Sequence, residues 1–132
     1  MFSIRLVPLL LWAGLIAALS SFSTPPGPQQ QEWTAYLAHG GEYAVLAFLA
    51  SHWAGRAFPR ARPGVLIILV WLGCVLYGAS DELHQSFVAG RDASYLDWLL
   101  DALGAGLGLI ARPALRAIAS ATRASGGPGR GP

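Results

Sequence analysis

Residues Tyr77–Gly108, which read YGASDELHQSFVAGRDASYLDWLLDALGAGLG, carry the strongest signal for the fold. This stretch holds five of the chain's seven acidic residues, placed between two strongly apolar runs. The whole chain is 54% hydrophobic and only 12% charged, so this concentration of carboxylates is not incidental. Read as helix, loop and helix, the stretch places carboxylates at the ends of two membrane-length segments. Ionisable residues within a membrane are energetically costly, so they indicate a functional site.

Composition assigns the chain to the integral membrane class. A length of 132 residues is that of one domain, and the mean hydropathy of +0.46 is high for a soluble one. Nine arginines and no lysine give a formal charge of +2. No basic run is interleaved with aromatic residues, so nucleic-acid binding has little support. The single cysteine, Cys74, excludes an intrachain disulfide and a cysteine-based zinc site.

Four apolar segments predict an all-α, integral membrane four-helix bundle. The predicted spans are Ile4–Phe22, Trp33–Ala54, Gly64–Ser80 and Ser94–Ala111. The first has an alternative interpretation as a cleaved secretory signal peptide, but its removal would leave an odd bundle of three spans. The segment Ser23–Gln31 is rich in proline and is predicted to be a loop.

The charge pattern predicts the orientation of the bundle. Eight of the nine arginines lie at the N-terminus, in the loop of residues 55–63 and in the tail, whereas Arg91 alone follows the third span. The positive-inside rule then places both termini in the cytoplasm of a multi-pass protein of the inner or plasma membrane. Pro113 is predicted to end the fourth span. We therefore expect a membrane domain of residues 1–112 and a tail of residues 113–132, rich in arginine, glycine, proline and alanine and disordered at its end.

Polar residues are predicted to converge near the outer ends of three spans. In the fourth, Ser94, Asp97, Asp101, Gly104 and Gly108 share an arc of about 80°. The pair Gly104-x-x-x-Gly108 predicts that a neighbouring helix backbone approaches closely.

The second and third spans carry matching polar faces. In the third, an arc of about 100° collects small residues below polar ones; its members are Cys74, Gly78, Asp81, Glu82 and Gln85. In the second, helical spacing groups His39, Glu42, Tyr43 and Leu46. The candidate binding residues are His39, Glu42, Tyr43, Asp81, Glu82, Gln85, Arg91, Ser94, Asp97 and Asp101.

The chemistry of this set is that of an acidic cup. Carboxylates packed together repel one another, so the cup suits proton handling, a divalent metal or an amine-bearing ligand. It suits an anionic phosphate badly unless Arg91 or a metal makes the contact. Interhelical hydrogen bonding alone is the competing interpretation, but six acids beside one arginine would pair poorly.

The candidate catalytic residues are Glu82, Asp81 and His39, although no known nucleophile motif or phosphate-binding glycine loop is present. The pairs His39-x-x-Glu42 and Asp81-x-x-His84 have a spacing compatible with metal ligation. Such pairs arise often by chance, so we assign no metal ligands and predict no cofactor.

Several of these residues recur in a known pattern: His39 and Tyr43, then Tyr77-Gly78-x-x-Asp81-Glu82-x-His84-Gln85-x-Phe87-Val88-x-Gly90-Arg91-x-x-Ser94-x-x-Asp97 and Gly104. The pattern resembles the VanZ-like family over about Ser20 to Leu109. The resemblance implies a small helical membrane protein of the bacterial envelope, with Asp81, Glu82, Gln85, Arg91 and Asp97 as signature positions. The founding member is associated with low-level resistance to teicoplanin, a lipid-tailed glycopeptide antibiotic. Asp101 stands where the family is expected to have asparagine, which adds an acid to the cup.

Three functions follow as hypotheses. The first is a VanZ-like membrane protein that acts at the outer leaflet in cell-envelope function or glycopeptide resistance; its partners would be membrane lipid and an envelope lipid precursor or lipoglycopeptide. The second is a membrane-embedded hydrolase or transferase that uses carboxylates or a metal, with Glu82 as base and Arg91 as anion clamp. The third is a small proton-coupled transporter, which would need to be a homo-oligomer. The inner halves of the spans carry no acid, which argues against a transport route.

Overall fold

The computed structural model describes residues 2–23 and 32–125, and it describes side chains for residues 4, 6–23 and 36–111. These residues form four α-helices and no strand: α1 (Phe2–Ser20), α2 (Glu32–Ala57), α3 (Pro63–Gln85) and α4 (Tyr95–Ser125). The predicted all-α class is confirmed. Most of the proline-rich loop, residues 24–31, and the end of the predicted tail, residues 126–132, lie outside the described residues.

Three helices end later than their predicted spans, and α3 does so at Gln85 instead of Ser80. Helix α2 continues through Gly55 and Arg56, which were predicted to lie in a loop. A glycine inside a helix costs only about 1 kcal/mol, so Gly55 does not end α2. The helix ends at Ala57, two residues before Pro59. The basic connection is thus reduced to residues 58–62.

Helix α4 continues through Pro113 to Ser125, so the prediction that Pro113 ends it is wrong. A proline inside a helix removes one backbone hydrogen bond. The flanking turns of α4 remain helical despite that loss, as those of α1 do around Pro8. The domain boundary at residue 112 stays a prediction.

Helix α4 packs most extensively on α2 and also contacts α3, while α1 lies against α2 and α3. The α2–α4 contact is unusually close because glycine faces backbone. A Cβ atom at Gly104 would lie 2.1 Å from the carbonyl oxygen of Gly40, and one at Gly108 would lie 2.0 Å from that of Ala44. The close approach predicted from the Gly-x-x-x-Gly pair is confirmed.

Few large side chains form the interior, and small or polar residues fill the rest of it. The hydrophobic core consists of Ile16, Tyr43, Leu46, Ala47, Cys74, Ala105 and Leu109. The predicted face of α3 is confirmed, since its buried residues are Cys74, Gly78, Asp81, Glu82 and Gln85. Helix α1 contributes Ile16 to this core; whether it is retained or cleaved as a signal peptide stays a prediction.

The outer surface of the bundle is strongly apolar. Among the described residues, α3 is the one helix both long and apolar enough to cross a membrane, and the apolar part of α1, Leu6–Ser20, is shorter. Exposed side chains on α3 include Ile67, Ile68, Leu69, Leu72 and Leu76. One membrane-length helix is therefore established, whereas the four-span bundle and its orientation remain predictions.

Candidate functional site

The predicted site residues lie where α2, α3 and α4 meet, beside the loop of residues 86–94 that joins α3 to α4. Half of the candidates are buried and half are partly buried. The buried ones are Tyr43, Asp81, Glu82, Gln85 and Asp101, and the partly buried ones are His39, Glu42, Arg91, Ser94 and Asp97. Asp92, the sixth acid counted in the predicted cup, was not a candidate binding residue, and it is exposed and outside the buried site.

A hydrogen-bonded chain connects α1, α3 and the loop. The Ser20 hydroxyl donates to Asp81 Oδ2 at 2.8 Å, and Gln85 Nε2 donates to the same oxygen at 3.1 Å. Arg91 Nη2 donates in turn to Gln85 Oε1. Because Asp81, Gln85 and Ser20 are all buried, their polar groups need such partners to remain inside the bundle.

The loop is folded back onto α3 by two devices. Gly90 has φ +79°, a conformation that favours glycine, in the turn just before Arg91. Ser94 caps α4, since its Oγ accepts the Asp97 backbone N–H at 3.2 Å. The Ser94 N–H donates to Glu82 Oε2 at 2.7 Å, so this carboxylate ties the start of α4 to α3.

A second group, the His39–Glu82–Asp101 cluster, lies beside this chain, and each of its residues belongs to a different helix. One ligand-type atom from each residue lies within 4.8 Å of the other two. His39 Nδ1 lies 3.2 Å from Asp101 Oδ1, and Asp101 is fully buried whereas His39 is 16% exposed. Their contact crosses the α2–α4 interface at its closest region, because His39 precedes Gly40 and Asp101 lies one turn before Gly104.

Two carboxylate oxygens of the cluster have no hydrogen-bond partner among the described residues: Glu82 Oε1 and Asp101 Oδ2. The other oxygen of each carboxylate contacts Ser94 N–H or His39 Nδ1. A Cβ atom at Gly78 would lie 3.2 Å from Asp101 Oδ2, so the missing side chain at Gly78 gives that oxygen room. The two oxygens are available to a cation or a proton, whereas the Asp81 carboxylate already accepts two hydrogen bonds.

The two pairs of ligand-type residues considered from their spacing are not paired by the fold. His39 contacts Asp101 of α4, while Glu42 is held through its backbone carbonyl, which accepts from Trp12 Nε1 at 2.9 Å. His84 is exposed and its Nε2 lies 3.0 Å from the Ser21 hydroxyl. Asp81 and His84 therefore belong to different contacts.

Ser20 is a site residue that the sequence analysis missed. It lies near the end of the predicted first span and is not among the candidate binding residues, yet it is buried and contacts Asp81. The available signal was a serine at the end of an apolar helix, since a buried hydroxyl in such a bundle needs a partner. Its partner lies 61 residues away in the sequence, and spacing along one helix does not identify it.

Two openings adjoin these groups. A cavity of about 290 Å³ reaches Glu82 and is lined by Ala79, Glu82, Ala93, Ser94, Tyr95 and Trp98. An apolar groove of about 510 Å³ lies between α1, α2 and α3, and its lining includes Leu9, Leu46, Phe58, Leu69 and Tyr77. Tyr77 is one helical turn from Asp81, so the groove ends next to the hydrogen-bonded chain.

Tyr43 lies inside the bundle, beside Tyr77 of the apolar groove. Its side chain is fully buried, its ring is 6.1 Å from that of Tyr77, and its hydroxyl has no hydrogen-bond partner. The hydroxyl is thus a third polar group that the described part of the bundle leaves unsatisfied, after the two carboxylate oxygens.

Comparison with known proteins identifies the chain at the level of a family. The model of a family described as VanZ/LLP1 matches residues 3–116. No curated protein and no solved structure matches the chain.

Proposed function

The chain belongs to the VanZ/LLP1 family, and on that premise we propose that it is a multi-pass membrane protein whose buried polar site binds the head of a lipid or lipid-tailed envelope molecule. The observation that carries the proposal is the set of polar residues held inside an otherwise apolar bundle, with an apolar groove ending beside it. Burying that many polar side chains is costly, which favours a role in recognition.

The membrane assignment is supported by the surface. Exposed leucine, isoleucine and valine side chains extend along α1, α3 and α4, and a continuous apolar surface of this extent would bring a soluble protein to aggregate. The positive-inside rule favours cytoplasmic termini and puts the loop of residues 86–94, with Arg91, on the outer side. In that orientation the site opens toward the outer leaflet.

The ligand class follows from the two openings. The groove would hold an acyl chain, because its lining is almost entirely apolar. The cavity beside Glu82 would admit a polar head. A lipid-tailed glycopeptide such as teicoplanin, or a lipid-linked envelope precursor, has both parts, whereas a purely polar solute would leave the groove unused.

The functional test is antibiotic susceptibility of a host that lacks this protein. Wild-type protein should raise the minimal inhibitory concentration of teicoplanin, and Asp81→Asn, Glu82→Gln and Arg91→Gln should each return it to the level of the empty vector. Asp92→Asn is the matched control, since Asp92 is an exposed acid next to Arg91 in the loop of residues 86–94. If all three site variants protect the host as well as wild type does, the site is not the functional one.

The ligand itself is tested by purification. Wild-type protein in detergent should carry an enriched lipid or lipid-linked precursor that mass spectrometry detects, and the Asp81→Asn/Glu82→Gln double variant should lose it. Equal lipid profiles for the two proteins would remove the binding proposal, whatever the susceptibility result.

The orientation is tested by single cysteines in a Cys74→Ala background. Ala93→Cys, in the loop before α4, should react with a membrane-impermeant maleimide on intact cells. Arg60→Cys, in the connection between α2 and α3, should react only after permeabilisation. Both positions are exposed, so the reverse pattern would place the site on the cytoplasmic side.

A second candidate is a hydrolase or transferase that acts on the same lipid. It is favoured by Glu82 Oε1, a buried carboxylate oxygen without a partner, in a residue that also lines the open cavity. Glu82 would then be the general base. Time-resolved mass spectrometry of lipid supplied to the purified protein distinguishes turnover from binding, and an unchanged lipid would leave only the binding role.

A further inference from the structure

Two carboxylate oxygens of the His39–Glu82–Asp101 cluster have no hydrogen-bond partner among the described residues. Glu82 is 7% exposed and Asp101 is fully buried, and one oxygen of each accepts no hydrogen bond from the part of the chain that the structure describes. We propose that His39, Glu82 and Asp101 are the protein ligands of one divalent transition-metal cation, of the chemical class of Zn²⁺. The inference deepens the proposed function and rests on it in one respect, since the cation would lie in the same ligand-binding site.

The distances suit a single cation. Any two ligands of a tetrahedral ion with bonds of about 2.1 Å lie about 3.4 Å apart. The cluster atoms lie within 4.8 Å of one another, so side-chain rotations that shorten the longest separation by up to about 1.4 Å would complete the site. The 3.2 Å between His39 Nδ1 and Asp101 Oδ1 already matches two adjacent ligands.

The charges call for a cation. Two ionised carboxylates buried side by side are unfavourable unless a positive charge compensates them. Among the described side chains, no arginine forms an ion pair with Glu82 or Asp101, and His39 is the one ion-pair partner found, charged only when protonated. Arg91 instead donates to Gln85. A divalent ion with a neutral His39 would balance the two carboxylates.

The donor types select the metal. An imidazole nitrogen favours zinc and its transition-metal neighbours, whereas Mg²⁺ and Ca²⁺ prefer all-oxygen sites. Three protein ligands leave a fourth position of a tetrahedral ion open to water or another molecule. Glu82 also lines the cavity between α3 and α4, so an anionic oxygen of a lipid head that entered there would have a Lewis acid to bind, which the carboxylates alone do not provide.

The experiment measures metal on the purified full chain, carrying an affinity tag without histidine. After chelator treatment and detergent exchange, Zn²⁺ titration by calorimetry and elemental analysis should give one ion per chain. Glu82→Gln, Asp101→Asn and His39→Gln should each weaken Zn²⁺ affinity by more than about 100-fold. That loss is larger than the loss expected when a residue that only hydrogen-bonds to a metal ligand is changed. Asp92→Asn and His84→Gln are matched controls, because both residues are exposed and lie outside the cluster, and each should stay within about twofold of wild type.

Two results would overturn the inference. One is wild-type protein that takes up no Zn²⁺ at concentrations up to roughly 0.1 mM, which would make the His39–Asp101 contact a simple ion pair. The other is uptake that the three cluster variants retain, which would place the ion elsewhere. Size-exclusion profiles and far-ultraviolet circular dichroism identify a variant that fails to fold. In that case the number of Zn²⁺ ions bound per wild-type chain and the Co²⁺ absorption spectra of the folded variants decide whether the cluster binds the ion.

The outcome is separable from that of the proposed function. Wild-type protein that binds one ion but neither protects a host nor retains lipid supports the metal site and removes the proposed function. Protein that protects the host and retains lipid without binding metal does the reverse.

Discussion

Replacing Gly104 by alanine tests whether the close α2–α4 contact assembles the site. The added Cβ would lie 2.1 Å from the Gly40 carbonyl oxygen and 2.8 Å from the Gly40 Cα atom. Ordinary contacts between such atoms are about 3.5 Å, and neither atom belongs to a flexible side chain. The two helices must therefore separate by about 1 Å or more.

The magnitude follows from two opposing effects. Overpacking of this kind destabilises by about 1–3 kcal/mol, while alanine favours a helix over glycine by about 1 kcal/mol. Gly106→Ala is the matched control on the same helix, since its Cβ would have its nearest neighbour, Trp71 Nε1, at 3.9 Å. Both variants gain the helix preference, so the difference in their free energies of unfolding isolates the clash at about 1–3 kcal/mol.

The same displacement reaches the cluster. His39 precedes Gly40, and Asp101 lies one turn before Gly104, so a separation of about 1 Å takes their 3.2 Å contact beyond hydrogen-bonding distance. Gly104→Ala should thus lose teicoplanin protection and Zn²⁺ affinity although every site residue is intact. Unfolding is followed by the reactivity of Cys74, the one cysteine, which is buried, with a thiol-specific dye in rising denaturant. A Gly104→Ala protein that is as stable as Gly106→Ala, protects the host against teicoplanin and binds Zn²⁺ as wild type does would refute the proposed role of the close contact.

Three further outcomes are expected from matched pairs of variants, each measured as a free energy of unfolding. Gly108→Ala should destabilise the protein as Gly104→Ala does, because its Cβ would lie 2.0 Å from the Ala44 carbonyl oxygen. It should lower Zn²⁺ affinity less than Gly104→Ala, because Gly108 is a turn farther from Asp101. Equal losses of affinity would contradict this. Ser20→Ala should lower the free energy of unfolding by about 1.5–3 kcal/mol, because it removes a 2.8 Å hydrogen bond to the buried Asp81 carboxylate. Its control, Ser21→Ala at an exposed position, should change stability by less than about 0.5 kcal/mol. A Ser20 effect no larger than that of Ser21 would count against the hydrogen bond between Ser20 and Asp81. Tyr43→Phe should leave stability unchanged or raise it by about 1 kcal/mol, because the buried hydroxyl has no partner among the described residues. Tyr77→Phe should cost about 0.5–1.5 kcal/mol, because it loses the 2.7 Å hydrogen bond from its hydroxyl to the Ala13 carbonyl. Destabilisation by Tyr43→Phe would mean that the Tyr43 hydroxyl has a partner in the folded protein.

Much of the polar face of each helix could be predicted because helical periodicity is a local property. A repeat of 3.6 residues places Asp81, Glu82 and Gln85 on one side of α3 whatever the helix packs against, and all three are buried as expected. The glycine pair of α4 likewise requires a close neighbour in any bundle where that face is buried. The helix ends were less predictable, since Pro113 weakens α4 without ending it.

Residue patterns along the chain were sufficient to predict that it is helical, which faces of three helices are polar, and where one helix must approach another most closely. The pairing of polar groups depended on how the helices pack: Ser20 binds Asp81, His39 contacts Asp101 instead of Glu42, and Glu82 lies beside both. The physical reason is that periodicity determines the direction of a side chain around its own helix axis. The axial offset and rotation between two helices are set by the packing of all their side chains at once, and a shift of one turn would give each acid a different partner.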